Sequence, residues 1–315
     1  MARVSVVIVT FNSAAAIGRC LKALRSSNGD IELVVIDNDS QDETVPLLGK
    51  LLATYTGAQL TVMPENVGFA RAVNHGLRMA SGEFVVVLNP DCYVTPTTLS
   101  DMVAVMESDP RIGIAGCLLL NEDGSEQAGC RRYIPTPWRS LMRVLHLGRI
   151  PFLRGKRIFG SFIMSREPLP DRPQDVEALS GALMMVRPES MAEVGLFDEA
   201  YFMHCEDLDW CMRFRSGGWR VVFVPTTHAV HAKGGSTRSR PLRVEYYKHA
   251  GMIRFYRRHL RHRYPYPLMV LVVAAVWVRF LFKAIMLLPQ SFVALRRGQR
   301  IKSDQMRGRL GVRYR

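Results

Sequence analysis

Three carboxylates fall within four residues in the stretch Phe202-Met-His-Cys-Glu206-Asp207-Leu-Asp209-Trp210. A carboxylate within hydrogen-bond reach of a substrate hydroxyl can take its proton as a general base. A second acid beside it raises its pKa by like-charge repulsion. An apolar approach (Val194, Leu196, Phe197) leads in, and a helix carrying Trp210, Met212 and Phe214 leads out. Gly217-Gly218 stops that helix, because glycine accepts left-handed dihedrals. Acids at a helix start are also favoured by exposed N–H groups and the dipole. A capped surface helix therefore explains the three acids about as well as catalysis does, and Asp209 better.

Other polar residues stand where a ligand could meet them. Asp37-Asn38-Asp39-Ser40 and Asn89-Pro90-Asp91 each follow an apolar run, as does Thr10-Phe11-Asn12-Ser13. A carboxylate at such a place accepts hydrogen bonds from a base N–H or ribose hydroxyls, although Asx residues also cap helices and close turns. Asp91, aimed by Pro90, could hold a divalent ion together with diphosphate oxygens. Arg71 and Asn74 in Asn66-x-Gly68-x-x-Arg71-x-x-Asn74-x-Gly76 lie one turn apart. Arg71 near a helix N-terminus suits a diphosphate, and a solvated surface arginine fits the segment equally well. His228 and His231 form an HxxH in a loop, which alone is a weak metal signal.

The elements that must position these groups read as alternating strands and helices. Val4–Thr10 is a β-branched run suited to a buried parallel strand. A helix (Ile17, Leu21, Leu24), a strand 31–36, a helix (Val45, Leu48, Leu51, Leu52) and a short strand 60–63 follow. Asn66-Val67-Gly68 opens a helix through Leu77 and Met79, and 83–88 is a fourth strand. The alternation predicts a parallel α/β sheet with right-handed crossovers. Ligands of such sheets sit at the carboxyl ends of the strands, where the three polar clusters fall. Further on, 99–106 reads as a helix, 112–120 as a strand, 174–186 as a strand with Gly181 at its centre, and 219–224 as a strand. A glycine inside a strand permits close approach of a ligand or backbone.

With 315 residues, 48% of them apolar, the chain can build one large domain with an appendage. The net charge of +14 is concentrated at the end. Residues 240–315 carry 18 Lys/Arg against 2 Asp/Glu, and 1–239 carry 24 against 26. Ala128–Ser165 adds eight cations and no acid, mixed with Trp138, Leu141, Phe152 and other apolar residues. This mixture predicts an interfacial segment, and a basic loop packed on the body is the alternative. The asymmetry points to an anionic surface, membrane or nucleic acid. Six cysteines without CxxC spacing read as reduced thiols of a cytosolic protein, and no signal peptide is read.

Pro267–Leu288 is the most apolar stretch, interrupted by Arg279 and Lys283. A spanning helix needs about 20 apolar residues, and two cations near its centre are costly. The expectation is a helix or helix pair lying in or against the cytoplasmic leaflet. A single span and a soluble helical cap are the alternatives.

As an ordered set the motifs carry a resemblance. They are Val6-Val-Ile-Val-Thr-Phe-Asn12, Val35-Ile-Asp37-Asn38-x-Ser40-x-Asp42, Asn66-x-Gly68-Phe-Ala-x-Ala-x-Asn74-x-Gly76, Asn89-Pro-Asp91, Gly181-Ala182, Gly195-x-Phe197-Asp-Glu199, Phe202-x-x-x-Glu206-Asp207-x-Asp209 and His231-x-x-Gly234-Gly-Ser236. Across roughly 3–240 the chain resembles inverting family 2 glycosyltransferases of the GT-A fold, and within them the bacterial rhamnosyltransferase-like branch. The resemblance implies a GT-A domain over 1–240, a Rossmann-like, mostly parallel sheet flanked by helices, with 128–166 facing acceptor or membrane. A basic, helical, membrane-associating region would occupy 241–315. It implies that Thr10, Phe11, Asn12, Asp37, Asn38 and Asp39 hold the base and ribose of a nucleoside diphosphate sugar. Asn66, Gly68, Arg71, Asn74, Asn89 and Asp91 would complete that pocket. Asp91 would be the surviving carboxylate of the family's DxD motif, whose first Asp is Asn89 here, and His231 would add a contact to Mg²⁺ or Mn²⁺. Asp207 would be the base with Glu206 beside it, and Gly181, Ala182 and Trp210 would lie on the acceptor side. The expected donor is dTDP-L-rhamnose. The expected acceptor is a polyprenyl-diphosphate-linked saccharide at the cytoplasmic face of the inner membrane, where the protein is peripheral or shallowly inserted.

Three other readings compete. One is a transferase of the same fold using a UDP-sugar of galactofuranose or an N-acetylhexosamine. Another is a non-catalytic sugar-nucleotide binder, weakened by the joint presence of Asp91, Asp207 and His231. The last is a nucleic-acid binder, disfavoured because the cations of the tail surround a Leu/Val/Trp run rather than a reading motif.

Overall fold

A computed structural model describes residues 3–145, 162–165, 167–232 and 241–287. The expected interfacial residues 146–161, the Gly234-Gly235-Ser236 motif and the tail 288–315 lie outside the described residues.

The chain begins with β1 (Val4–Thr10), α1 (Ala14–Arg25), β2 (Ile31–Asp37), α2 (Thr44–Leu52), β3 (Gln59–Val62), α3 (Phe69–Met79) and β4 (Phe84–Leu88). β1 is buried along its whole length, because it lies between β2 and β4 in parallel register. α1 buries Ile17, Cys20, Leu21 and Leu24, one apolar stripe, against the sheet. α3 brings Gly76 onto β1, and a Cβ there would stand 2.4 Å from Val7 Cγ1.

The second half departs from simple alternation. It runs β5 (Cys92–Val94), α4 (Thr98–Ser108), β6 (Ile112–Leu120), β7 (Arg131–Arg132), α5 (Pro137–Val144), β8 (Gln174–Asp175), β9 (Ala178–Leu179), β10 (Leu183–Val186), α6 (Pro188–Val194), α7 (Glu206–Ser216) and β11 (Arg220–His231). The main sheet has the order β3-β2-β1-β4-β10-β6-β11-β5, with β8 on β11, and β7 pairs β9 in a small second sheet. β10 is antiparallel to both β4 and β6, and β5 is antiparallel to β11. The sheet is therefore mixed, parallel through its first half, with helices on its faces. This is the GT-A architecture that the motifs imply.

Two strand boundaries are corrected. The single strand expected over 174–186 is three, because β8 joins β11, β9 joins β7 and β10 enters the main sheet. The strand expected to end at Val224 continues to His231, so His228 and His231 belong to a strand and not a loop. Pro225 is accommodated at a register irregularity between Val224 and His228.

Beyond β11 come α8 (Pro241–Phe255), a π-helical turn (Tyr256–Leu260) and α9 (Tyr266–Leu287). Phe255, Tyr256, Leu260 and Met269 join the main hydrophobic core. The boundary expected at 240 is therefore not a boundary between cores. α9 is one helix of 22 residues, long and apolar enough by length and composition to cross a membrane. All six cysteines are free and buried.

Candidate active site

The carboxyl ends of β1, β2 and β4 meet at one edge of the sheet, with Thr10 opposite Asp37 in register. Asn12 and Asp39 both adopt left-handed backbone there (φ 50° and 66°), which Asn and Asp tolerate better than most residues. The Thr10 hydroxyl donates to Asp37 Oδ2 (2.7 Å), and Ser40 donates to the same carboxylate through N (2.9 Å) and Oγ (2.6 Å). Thr10 and Asp37 are fully buried. These hydrogen bonds tie β1 to β2, with Asp37 Oδ2 accepting two of them and Oδ1 one. Phe11, Asn12 and Asp39 remain half-buried at the rim, and Asn38 is buried behind them. Asn38 Oδ1 accepts from Val67 N (3.0 Å) and its amide donates to Asn66 Oδ1 (3.3 Å), so the β2 end is knitted to the loop before α3. Gly68 (φ 88°) closes that loop against Phe202 O, which a Cβ would approach to 2.7 Å.

Arg71 and Asn74 turn elsewhere. Asn74 is buried and holds the backbone of Phe197 through both its amide atoms (2.9 and 3.0 Å). Arg71 Nε donates to Glu199 (3.0 Å), which also binds Arg78 and Asn74. The hydrogen bond from Asn74 and the two cations hold the Glu199 carboxyl below the usual carboxylate range. Asn74 therefore braces the loop that leads to the three acids and does not line a donor pocket. Arg71 shares the Glu199 carboxylate with Arg78, and its side chain stays exposed.

A second cluster gathers at the β4–β5 junction. β11 pairs with β5 so that His231 lies opposite Cys92, which sets His231 beside Asp91. His231 Nε2 lies 3.1 Å from Asp91 Oδ1 and 3.4 Å from Asn89 Nδ2. Its Nδ1 lies 2.7 Å from Gln127 Oε1. The amide nitrogen of Gln127 donates to His231 O (3.0 Å) and Asn121 Oδ1 (3.1 Å). That assignment makes Gln127 Oε1 an acceptor, so Nδ1 carries the proton and Nε2 faces the carboxylate. A lone pair on Nε2 facing a carboxylate oxygen needs a proton or a cation between them. The donor set is one carboxylate and one imidazole, and among the described residues no group of three or more His, Cys, Asp or Glu gathers for a metal. Gln127 carries no local sequence signal, because its role rests on a contact 104 residues away.

The three acids sit at the start of α7 and have three different environments. His204 and Cys205 both adopt left-handed backbone (φ 65° and 70°) just before it. Such strain persists only where the surroundings over-determine it. Here Phe202 stacks on Tyr247 (ring centroids 4.3 Å apart), and Gly251 of α8 abuts the His204 carbonyl, 2.8 Å from where a Cβ would stand. Asp207 Oδ2 accepts from Arg132 Nη2 (2.6 Å) and Gly181 N (3.1 Å). A Cβ at 181 would lie 3.3 Å from Asp207 Cβ, so glycine admits the carboxylate to this place. Ala182 O accepts from Asn89 N (2.9 Å), so Gly181-Ala182 joins Asp207 to the Asn89–Asp91 cluster. Glu206 is buried, and burial followed by the charge of Asp207 pushes its carboxyl up to about 8. Burial pushes the His204 imidazole down to about 4. Among the described residues, three buried side-chain polar atoms have no partner: Arg132 Nε, His204 Nε2 and Glu206 Oε2. All three belong to the surroundings of Asp207. Orphaned polar atoms are costly unless a ligand or water meets them, which marks this corner as a polar binding site.

Two expectations for α7 are corrected. Asp209 does not cap a surface helix: it is fully buried and binds Arg213 Nε (2.8 Å) and His259 Nε2 (2.7 Å). Trp210 is not on an acceptor side. It is fully buried, donates to Gly195 O (2.8 Å) and packs on Phe197 and Phe214. Arg132 was missed because its own segment reads only as a basic loop. In that segment Arg131 pairs with Glu126, Arg132 with Asp207 and Arg139 with Glu177. The described part is thus a packed arm, with Trp138, Leu141 and Val144 exposed on α5 and Leu145 exposed just after it.

A family model for glycosyl transferase family 2 matches residues 5–171. The chain is 31% identical over 244 residues to the N-acetylglucosaminyl-diphospho-decaprenol L-rhamnosyltransferase of Mycobacterium tuberculosis, covering 74% of this chain and 76% of that one. The chain belongs to glycosyl transferase family 2. It is an enzyme, a glycosyltransferase similar also to rhamnosyltransferase WbbL of Escherichia coli K12 (26% identity, 75% of this chain and 86% of that one). In fold the transferase is similar to the Pyrobaculum calidifontis mannosyltransferase PcManGT, solved with GDP-Man and Mn²⁺ (TM-score 0.55, 20% identity, 100% of this chain and 81% of that one). It spans 65% of the S. aureus TarS 1-349 chain (TM-score 0.50, 17% identity, 80% of this chain). The motifs of the transferase thus fall on the edge where β1, β2 and β4 end, with Asp207 joined to them through Gly181-Ala182.

Proposed function

We propose that this transferase moves L-rhamnose from dTDP-L-rhamnose, with inversion, onto a polyprenyl-diphosphate-linked saccharide at the cytoplasmic face of a membrane. The observation that carries the sugar and the lipid is the relative at 31% identity, whose name states both an L-rhamnosyl group and a decaprenol-linked acceptor. The chemistry follows from Asp207. Arg132 and Gly181 N hold one carboxylate oxygen, and the group remains partly open to solvent. An acceptor hydroxyl at that carboxylate gives up its proton to Asp207 as its oxygen attacks the anomeric carbon. The anomeric C–O bond breaks on the opposite face, and the nucleoside diphosphate leaves with the electron pair. Glu206, protonated at neutral pH by its raised pKa, donates a hydrogen bond to the saccharide instead of competing for the proton.

Asp91 and His231, whose Oδ1 and Nε2 lie 3.1 Å apart, are of the ligand types that would hold Mg²⁺ or Mn²⁺ together with diphosphate oxygens. Such an ion, held by Asp91 and His231, would neutralise charge on the leaving diphosphate.

Membrane placement is supported by α9. Leu271, Val278, Phe282 and Ile285, on one face of the helix, are 63–67% exposed. The opposite side lies along charged α8, with Tyr246 against Trp277 and Phe280, and Arg279 3.1 Å from His249. A helix tied to a polar helix through Trp277, Arg279 and Phe280 suits the plane of the interface better than a span. The test is nucleoside diphosphate release from dTDP-, UDP- and GDP-sugars with a lipid-linked saccharide acceptor, with and without Mg²⁺ or Mn²⁺. Metal-dependent release from dTDP-rhamnose alone supports the proposal, and release only from a UDP-sugar overturns the donor.

A further inference from the structure

An open cleft of about 560 Å³ lies between α8, the π-helical turn and α9, lined by Ala250, Ile253, Arg254, Arg257, Arg258 and Trp277. We propose that this cleft binds the phosphate of an anionic phospholipid headgroup. The inference rests on the reading that α9 lies at a membrane.

The walls are built for an anion beside a lipid. Arg254 is held by Asp198 through Nε (3.0 Å) and Nη2 (2.7 Å), and Arg258 pairs with the same carboxylate. Arg258 also reaches Asp209 (3.4 Å), which Arg213 already neutralises. Arg213, Arg254 and Arg258 thus meet two carboxylates, a surplus of one positive charge, and Arg257 adds a second. Arg257 is exposed and has no hydrogen-bond or ion-pair partner among the described residues. A guanidinium presents a planar fork that matches two phosphate oxygens. Trp277, on α9, sits at the same cleft, the kind of ring that prefers the headgroup level. Acyl chains leaving the cleft would meet the exposed apolar face of α9.

The position selects membrane phospholipid over the diphosphate of the acceptor. Asp207 and Asp209 are two residues apart on α7, and successive residues turn about 100°, so their side chains leave opposite faces of the helix. Asp207 faces Gly181, whereas Asp209 faces Arg258 of the cleft wall. An acceptor whose hydroxyl lies at Asp207 does not place its diphosphate behind α7.

The experiment compares co-sedimentation of the full chain and its Arg257→Lys, Arg257→Ala and Arg263→Ala variants with phosphatidylglycerol vesicles, with phosphatidylcholine vesicles as control. Arg263 is exposed and outside the cleft. Diffuse attraction costs about fivefold per lost cation and nothing for Arg257→Lys. The cleft predicts a loss of at least about twentyfold for Arg257→Ala and about fivefold or more for Arg257→Lys, beyond the loss at Arg263. In parallel, dihexanoyl-phosphatidylglycerol below its micelle concentration is titrated by Trp277 fluorescence, with Trp277→Phe as blank. Saturable binding lost in Arg257→Ala is the expected result. Vesicle binding that ignores Arg257→Lys, with no response to the short-chain lipid, overturns the cleft and leaves the membrane reading standing. Short-chain binding that needs Arg257, without vesicle binding, keeps the cleft and overturns the membrane reading.

Discussion

Arg132 and Asp207, 75 residues apart in the chain, meet at 2.6 Å between Nη2 and Oδ2, each side chain only 14% exposed. The guanidinium also donates to Leu179 O, so the pair joins β7, β9 and the start of α7. This contact aims the carboxylate while Gly181 N takes the other direction of the same oxygen.

Asp207→Asn is expected to lower kcat by about 10²–10⁴-fold, the usual worth of a general base. Donor affinity should be unchanged, because Asp207 acts on the acceptor hydroxyl and not on the nucleotide. Single-turnover kinetics with donor titration measures both. Near-normal turnover would remove Asp207 from its role.

Arg132→Met leaves a partly buried carboxylate without its cation and should cost about 3 kcal/mol of stability. Combining it with Asp207→Asn should restore ~1–3 kcal/mol, the coupling of two groups in direct contact. Urea unfolding of the four proteins gives the coupling, and additive losses would show that the pair does not stabilise the fold.

Glu206 supplies a pH dependence of known sign. Its folded pKa lies above that of the unfolded chain, so the folded state binds the extra proton between the ordinary carboxylate range and about 8. Stability from this group is full at low pH and falls as pH rises through that window. Glu206→Gln should therefore flatten the decline in Tm between pH 5 and 8, by several degrees (a few °C per kcal/mol). Parallel slopes for the two proteins would show that Glu206 ionises freely.

His231→Ala and Gln127→Leu address the metal corner. Loss of the imidazole, or of the group that fixes its tautomer, should weaken Mn²⁺ binding in the presence of nucleoside diphosphate by about 10–100-fold. Titration calorimetry reads this without turnover. Unchanged Mn²⁺ affinity in both variants would remove His231 from the metal site.

Legibility followed the range of the interaction. The β-branched runs of β1, β2 and β4 report burial on both faces, and the stripes of α1 and α3 report one buried face, so these elements could be read locally. Their alternation also placed the polar clusters at strand ends. The division of 174–186 into three strands could not be read in this way, because each piece pairs with a partner distant in sequence.

The amino-acid sequence by itself determined the α/β class, the family, the strand-end clusters and the apolar α9. Each of these is written in residues a few positions apart, where hydrophobic period and turn chemistry act. Only the tertiary structure decided which polar groups remain for a ligand. It joined Thr10 to Asp37, turned Asn74, Asp209 and Trp210 inward, and brought Arg132 to Asp207 and His231 to Asp91 across 75 and 140 residues. The physical reason is that a polar side chain takes its role from the partner it meets. That partner is set by the order β4-β10-β6-β11-β5, which no local pattern encodes.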